Sequence, residues 1–372
     1  MIISEIRTTI LRLPTVYING DGLQDILIIE VITDEGLIGI GEAHTMPTAL
    51  KSIIEAPISQ FAVQGLSSLL VGQDPSDITG LWNRMWRHCG SVLGGRGLVL
   101  HAMSGIDLAL WDLRGKVENK PLCQLLGTVH RDKVDVYASD LMPSTADVLV
   151  ARALELKEKG YLFLKFGWGK IGTTPSEDID ILTRVREEIG SDMGLMIDVG
   201  VPIPYKDAVW LARNLEPLGV EFLEEPLDAT DFEGYSALVS ESPVPIAAGE
   251  REGGKQGFSD LITRAHLPIV QPDLARCGGI TVAKEIADLA DSKGAWVVPH
   301  CWSSDILVAA TAHFLASLEQ RALLEFNVMD QPLRTNLILE PFVAIGGAVS
   351  VPRGPGLGIE LNPETIEKFR VI

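Results

Sequence analysis

Six residues recur at near-constant spacing in the second half of the chain: Asp198, Glu224, Glu250, Asp273, His300 and Glu325. The intervals are 26, 26, 23, 27 and 25 residues, and each residue follows a short apolar run. A repeat of that length is one β-strand plus one helix. It places every one of these side chains at the same end of successive parallel strands. Five acids and one histidine on one rim repel each other and raise each other's pKa unless a cation compensates. Asp198, Glu224 and Glu250 follow three consecutive runs and therefore converge on one side of the mouth. Three carboxylates with no neighbouring Cys or His ligand suit a hard cation. Magnesium is the default and manganese also fits.

Asp273 and His300 come from neighbouring strand tips. A carboxylate on one ring nitrogen fixes the imidazole tautomer and leaves the other nitrogen as a base near neutral pH. Lys165 lies within the apolar stretch Leu162-Phe163-Leu164-Lys165-Phe166, which is no place for a solvated surface lysine. Across the mouth from His300, it is placed to pair with a substrate carboxylate or with the metal-bound oxygens. Glu325, at the tip of the last strand, is placed to hydrogen-bond a carboxylate oxygen, either protonated or through a water. Together these groups suit removal of a proton next to a carboxylate. A divalent cation and a lysine aimed at the carboxylate oxygens stabilise the resulting enediolate, so the base needs only modest strength. A hydroxyl on the next carbon can then leave.

The elements that must hold these residues are legible as eight short apolar runs: 134–138, 162–166, 194–197, 221–223, 244–248, 268–270, 295–298 and 322–324. Amphipathic helical stretches separate them, and eight is the count that closes a β/α barrel. Such a barrel needs about 250 residues. The chain has 372, which leaves room for another unit. Residues 1–127 read as an α+β unit with strands over 3–12, 27–33 and 39–43. Helices are expected over 50–70, 78–87 and 98–117. The barrel spans 128–345, and the Gly- and Pro-rich segment 346–372 is expected to return to the first unit. The fold class is thus α/β, with an α+β cap on a barrel.

The formal net charge is −19. Such a surface repels phosphate backbones and anionic lipid, so neither nucleic acid nor membrane is expected as a partner. No apolar stretch is long enough to span a bilayer, and the amino-terminal residues lack a secretory signal. Cys89, Cys123, Cys277 and Cys301 form no CxxC pair and read as reduced, buried residues, which suits a cytoplasmic location.

At these residues the chain resembles the enolase superfamily, in its mandelate racemase/muconate lactonizing enzyme-like subgroup. Ala109-Leu110-Trp111-Asp112-Leu113-Arg114-Gly115-Lys116 looks like that family's helix leading from the cap, and Leu125-Leu126-Gly127 looks like its exit into the barrel. Glu224-Glu225-Pro226, Gly249-Glu250, Gln271-Pro272-Asp273 and Pro355-Gly356-Leu357-Gly358 also match, in the same order. The resemblance implies a (β/α)7β modified TIM barrel, Asp198, Glu224 and Glu250 on magnesium, and an Asp273–His300 base dyad. Glu325 then assists at the carboxylate of a small-molecule substrate. It also implies a symmetric homo-oligomer. Loops over 15–24 and 44–48 would close over the substrate, with Tyr17 and His44 as specificity candidates.

Two departures bear on the reaction. The family often carries Lys-x-Lys at the end of the second strand, the second lysine being a base. Here the stretch is Lys165-Phe166-Gly167, followed by Trp168, which adds apolar bulk near the site. The family often has Asn two residues after the first metal ligand, where this chain has Gly200. Without a second base, dehydration of a sugar acid to a 2-keto-3-deoxy acid is expected, since His300 can return its proton to a leaving hydroxyl. Racemisation, epimerisation or cycloisomerisation is the alternative. Two-base racemisation would need Lys165 or Lys170 as the second base. A third reading is a ligand-binding member without turnover.

Overall fold

β1 (Ile3–Arg12), β2 (Asp25–Thr33) and β3 (Ile38–Ala43) form an antiparallel meander, in which the apolar run Ile26–Ile29 of β2 is buried on both faces. The computed structural model describes the chain except residues 17–22, 60–62, 144, 169–170 and 372. The long helix Leu98–Glu118 packs on the meander and is buried along most of its length. No helix among the described residues is long and apolar enough to cross a membrane.

One helix is expected over 50–70, but the chain forms two, Pro47–Glu55 and Leu66–Leu70. Pro57 accounts for the break. Its ring disfavours helical geometry at the preceding residue, and Ala56 is extended at φ −53°, ψ 136°.

Eight parallel strands follow: β4 (Lys133–Leu141), β5 (Phe163–Gly167), β6 (Gly194–Asp198), β7 (Val220–Glu224), β8 (Ile246–Ala248), β9 (Ile269–Val270), β10 (Trp296–Val297) and β11 (Leu323–Asn327). The hydrogen-bonded order is β10-β9-β8-β7-β6-β5-β4-β11, curled into the (β/α) barrel expected of the sequence. Among the described residues no ladder joins β10 to β11. Side chains bridge that seam instead: the Trp296 indole donates to the Arg321 carbonyl at 2.7 Å, and the Val297 N–H to Gln320 Oε1 at 3.2 Å. Tyr137, Met196, Phe222, Ala247, Ile269, Val298 and Leu323 fill the interior.

Period-two alternation then dictates the rim. On β6, β7 and β11 the residue two after the interior filler also faces inward, giving Asp198, Glu224 and Glu325. Glu325 therefore does not end its strand as the sequence suggests. The parallel ladder continues, pairing Phe326 with Ala138 and Asn327 with Ser139.

The cap is tied to the barrel by buried polar contacts. Asp112 accepts the Ile40 N–H at 2.8 Å and the Leu357 N–H at 2.7 Å, joining β3, the long helix and the carboxy-terminal segment. Asp107 accepts the Thr281 N–H at 3.0 Å, and the Trp111 indole donates to Thr281 Oγ1 at 3.0 Å. In the carboxy-terminal segment, β12 (Ala348–Ser350) pairs antiparallel with β4, and the Val371 N–H reaches the Ile10 carbonyl at 2.9 Å.

Candidate active site

The barrel mouth holds a cavity of about 380 Å³, lined by residues of both cap and barrel. On one side lie Asp198, Glu224 and Glu250, each offering an oxygen within 4.8 Å of the others. All three are buried. Burial raises the pKa of Asp198 well above the carboxylate range, and Glu224 beside it adds to the shift. Glu224 is also raised, chiefly by burial. Asp198 Oδ1 is buried with no hydrogen-bond partner. An orphaned carboxylate oxygen among three buried acids is what a hard divalent cation would satisfy, so these residues fit magnesium.

Lys165 faces the same cluster from β5. Its Nζ donates to Glu224 Oε1 at 2.7 Å and Oε2 at 2.9 Å, and lies 2.7 Å from Glu325 Oε1. Burial works to lower its pKa, but Glu224 and Glu325 outweigh this and hold it well above the usual lysine value. Glu325 in turn accepts from Ser139 Oγ at 2.8 Å and from the Cys301 N–H at 2.7 Å. Although burial opposes ionisation, Lys165, His300 and the Cys301 N–H bring its pKa down to about 2. Glu325 is thus an acceptor near neutral pH.

Beside the cluster, His300 Nδ1 lies 2.7 Å from Asp273 Oδ2. Asp273 Oδ1 accepts the Ala275 N–H at 2.7 Å. Burial would raise the Asp273 pKa, but His44, His300 and Arg276 hold it well below the carboxylate range. His300 donates from Nδ1 to this carboxylate, which leaves Nε2 facing the cavity, 3.1 Å from Glu250 Oε2. Burial lowers the His300 pKa, but Glu250 and Glu325 more than offset it and the net shift is upward.

His44, expected as a specificity candidate on the 44–48 loop, directly follows β3 and turns towards the dyad. Its Nε2 lies 3.2 Å from the same Asp273 oxygen, and its Nδ1 lies 3.3 Å from Arg276 Nη2. Burial, then Arg276, lowers its pKa. A neutral ring accepting from Arg276 and donating to Asp273 satisfies both contacts. Tyr17 and Lys170 lie outside the described residues.

The two departures from the family pattern are packed together. A Cβ on Gly167 would sit 2.4 Å from Asp198 Cβ and 2.7 Å from its carbonyl oxygen, so no side chain fits there unless β5 and β6 move apart. Trp168 has a left-handed backbone, φ 62°, which is unusual for so bulky a residue. Its indole lies against Gly200, where a Cβ would come within 2.7 Å of the ring. Gly200 is thus the residue that admits Trp168.

Sequence reasoning did not single out Ser139, His101, Arg251, Arg276 or Trp302, all of which line the cavity. The signal for the two arginines was adjacency: Arg251 follows Glu250, and Arg276 lies three residues after Asp273.

Comparison with known proteins fits this geometry. Residues 148–365 match the enolase C-terminal domain-like family. Residues 9–127 match the N-terminal domain of mandelate racemase/muconate lactonizing enzyme. The chain belongs to this family, within the enolase superfamily. It is 32% identical over 357 residues to the D-galactarolactone cycloisomerase of Agrobacterium fabrum, covering 93% of this chain and 91% of the relative. It is 33% identical over 354 residues to the D-galactonate dehydratase of Cronobacter sakazakii, covering 91% and 90%. Among solved structures, the 3,6-anhydro-D-galactonate cycloisomerase from Zobellia galactanivorans superposes with a TM-score of 0.90 at 30% identity, covering 100% of both chains. A racemase from Streptomyces coelicolor A3(2) with bound magnesium gives 0.88 at 26% identity, covering 100% of both.

Proposed function

We propose that this enolase-superfamily protein abstracts the proton alpha to the carboxylate of a sugar acid. The observation that carries the reading is that His300, held by Asp273 through Nδ1, sets its Nε2 at the cavity 3.1 Å from Glu250 of the Asp198–Glu224–Glu250 cluster. Asp198, Glu224 and Glu250 would hold magnesium, or manganese. When bound, the cation would supply positive charge where the enediolate develops negative charge.

The chain's own residues account for the rest. His300 Nε2 takes the α-proton. Asp273 fixes the imidazole tautomer and favours the imidazolium that forms. Lys165 donates to the substrate carboxylate oxygens, and Glu325 holds both Lys165 and the Cys301 N–H, which lies next to the base. Gly167 offers no proton on the opposite face. His300 therefore both takes the proton and returns it, here to a departing hydroxyl on its own side. The C–O bond breaks, one water is lost, and the enol becomes a 2-keto-3-deoxy acid.

The two cycloisomerase relatives favour a second reading in which the leaving oxygen belongs to a ring. His300 would then protonate a ring oxygen that stays attached, and the product keeps every atom of the substrate. Mass spectrometry separates the two. Aldonates, aldarates and their lactones would be incubated with Mg²⁺ in deuterated water, with a chelator control. A chelator-sensitive product lighter by one water supports dehydration. A product of unchanged composition carrying deuterium supports cycloisomerisation. Absence of both exchange and product across the panel would refute α-proton abstraction.

A further inference from the structure

Two arginines at the mouth flank Glu250, and Arg251 takes no part in the chemistry above. Arg251 Nε lies 3.6 Å from Glu250 Oε1, and Arg276 Nη1 lies 3.4 Å from the Glu250 carbonyl oxygen. Both line the cavity, with side chains 28% and 18% exposed. Arg276 already spends donors, Nη1 on the Glu250 carbonyl and Nη2 on His44 Nδ1, whereas those of Arg251 are unspent. Arg251 donates no hydrogen bond among the described residues. Its contacts are the ion pair with Glu250 and the Trp168 ring, 5.6 Å from its guanidinium. Arg276 Nε is buried without a hydrogen-bond partner, although it lies 3.4 Å from Asp273 Oδ2.

Trp168 gives the arrangement a cause. An indole beside a guanidinium holds it in place while leaving its in-plane N–H groups free to hydrogen-bond. That accounts for the positive φ of Trp168 and for Gly200 beneath it. Strained backbone kept at a site mouth marks a side chain whose placement matters more than its local cost. The rest of the molecule strengthens the point. With a net charge of −19, the surface repels anions. A guanidinium held open over the cavity supplies local attraction where a ligand must arrive.

We infer that Arg251, backed by Trp168, binds a second carboxylate on the substrate. The protein then acts on a dicarboxylic sugar acid in preference to a monocarboxylic one. One carboxylate goes to the Asp198–Glu224–Glu250 side with Lys165. The other, at the far end of the carbon chain, takes the guanidinium N–H groups in the fork geometry that arginine offers a carboxylate. This rests on the sugar-acid reading of the site and narrows it.

The test compares six-carbon aldarates with aldonates of the same configuration, in Mg²⁺, for wild type, Arg251→Gln and Arg251→Lys. Binding is read by calorimetry and α-deuterium exchange by mass spectrometry. Wild type is expected to favour the diacid, and Arg251→Gln to cut the diacid-to-monoacid preference about ten- to a hundredfold, as loss of a charge-assisted bond implies. Arg251→Lys keeps the charge without the fork and should retain part of the preference. A wild type that binds both acids equally, or neither, overturns the inference, as does a preference that Arg251→Gln leaves unchanged. Exchange with an Arg251-independent preference sinks this inference and spares the sugar-acid reading. An Arg251-dependent binding preference with no exchange does the reverse.

Discussion

Gly167 is where the family's second lysine would stand, and the packing around it makes a quantitative prediction. In Gly167→Ala the new methyl would lie 2.4 Å from Asp198 Cβ and 2.7 Å from the Asp198 carbonyl, where ordinary contact begins near 3.4 Å. Neither neighbour is the end of a flexible side chain. Both belong to β6, which pairs residue by residue with β5 and ends in Asp198 itself. The strands must part by about 1 Å, which overpacking studies place at about 1–3 kcal/mol. For a chain of 372 residues that corresponds to a fall in melting temperature of about 1–4 °C. The displaced residue is a candidate cation ligand, so Mg²⁺ affinity should fall about tenfold or more, as it does when a ligand loses its support. Differential scanning fluorimetry with and without Mg²⁺, followed by calorimetric titration, measures both. A variant that melts with wild type and binds Mg²⁺ as tightly would refute the claim that steric exclusion at β5–β6 keeps a base out.

Other outcomes follow from the same geometry. His300→Asn should abolish α-deuterium exchange while Mg²⁺ binding and melting temperature stay near wild type. Glu250→Gln should instead weaken Mg²⁺ binding, read by titration. His44→Leu removes a hydrogen bond to the Asp273 carboxylate and should slow exchange about tenfold or more, with Mg²⁺ affinity retained. His313 offers a test remote from the site. It is fully buried between the Cys123 N–H and the Leu357 carbonyl, and burial lowers its pKa to about 4. The unfolded chain takes up this proton near pH 6.5 and the folded one near 4. Its contribution is therefore complete above about pH 6.5 and lost as pH falls towards 4, by about 3 kcal/mol in all. Urea midpoints measured between pH 4 and 7 should show a shallower acid limb in His313→Gln, and an unchanged slope would count against this assignment.

The carboxylate cluster and the Asp273–His300 pair were legible because a β/α repeat turns one strand period into one position on the rim. Asp198 and Glu224 end their strands, so even a coarse strand boundary finds them. Asp112 and Leu357, noticed as parts of two separate motifs, proved to be one hydrogen bond apart. What the sequence concealed were contacts made across the fold. His44 looks like a loop residue until β3 brings it to Asp273, a residue 229 positions away. Arg251 and Arg276 follow strand tips as surface arginines commonly do, and only the cavity distinguishes them. The expected helix over 50–70 failed for a local reason, Pro57, which apolar periodicity does not register. Glu325 was placed at a strand tip because apolar character stops at Leu324, although the ladder with β4 does not.

His44 belongs to the cap, one residue beyond β3, whereas Asp273 and His300 belong to the barrel. The surroundings of the proposed base are therefore drawn from both domains. An undocked cap withdraws an imidazole from Asp273 and opens the mouth to bulk water. Seating of the cap would thus act as an interlock on the proposed chemistry, since a partly assembled molecule would lack the imidazole that His44 lends to Asp273.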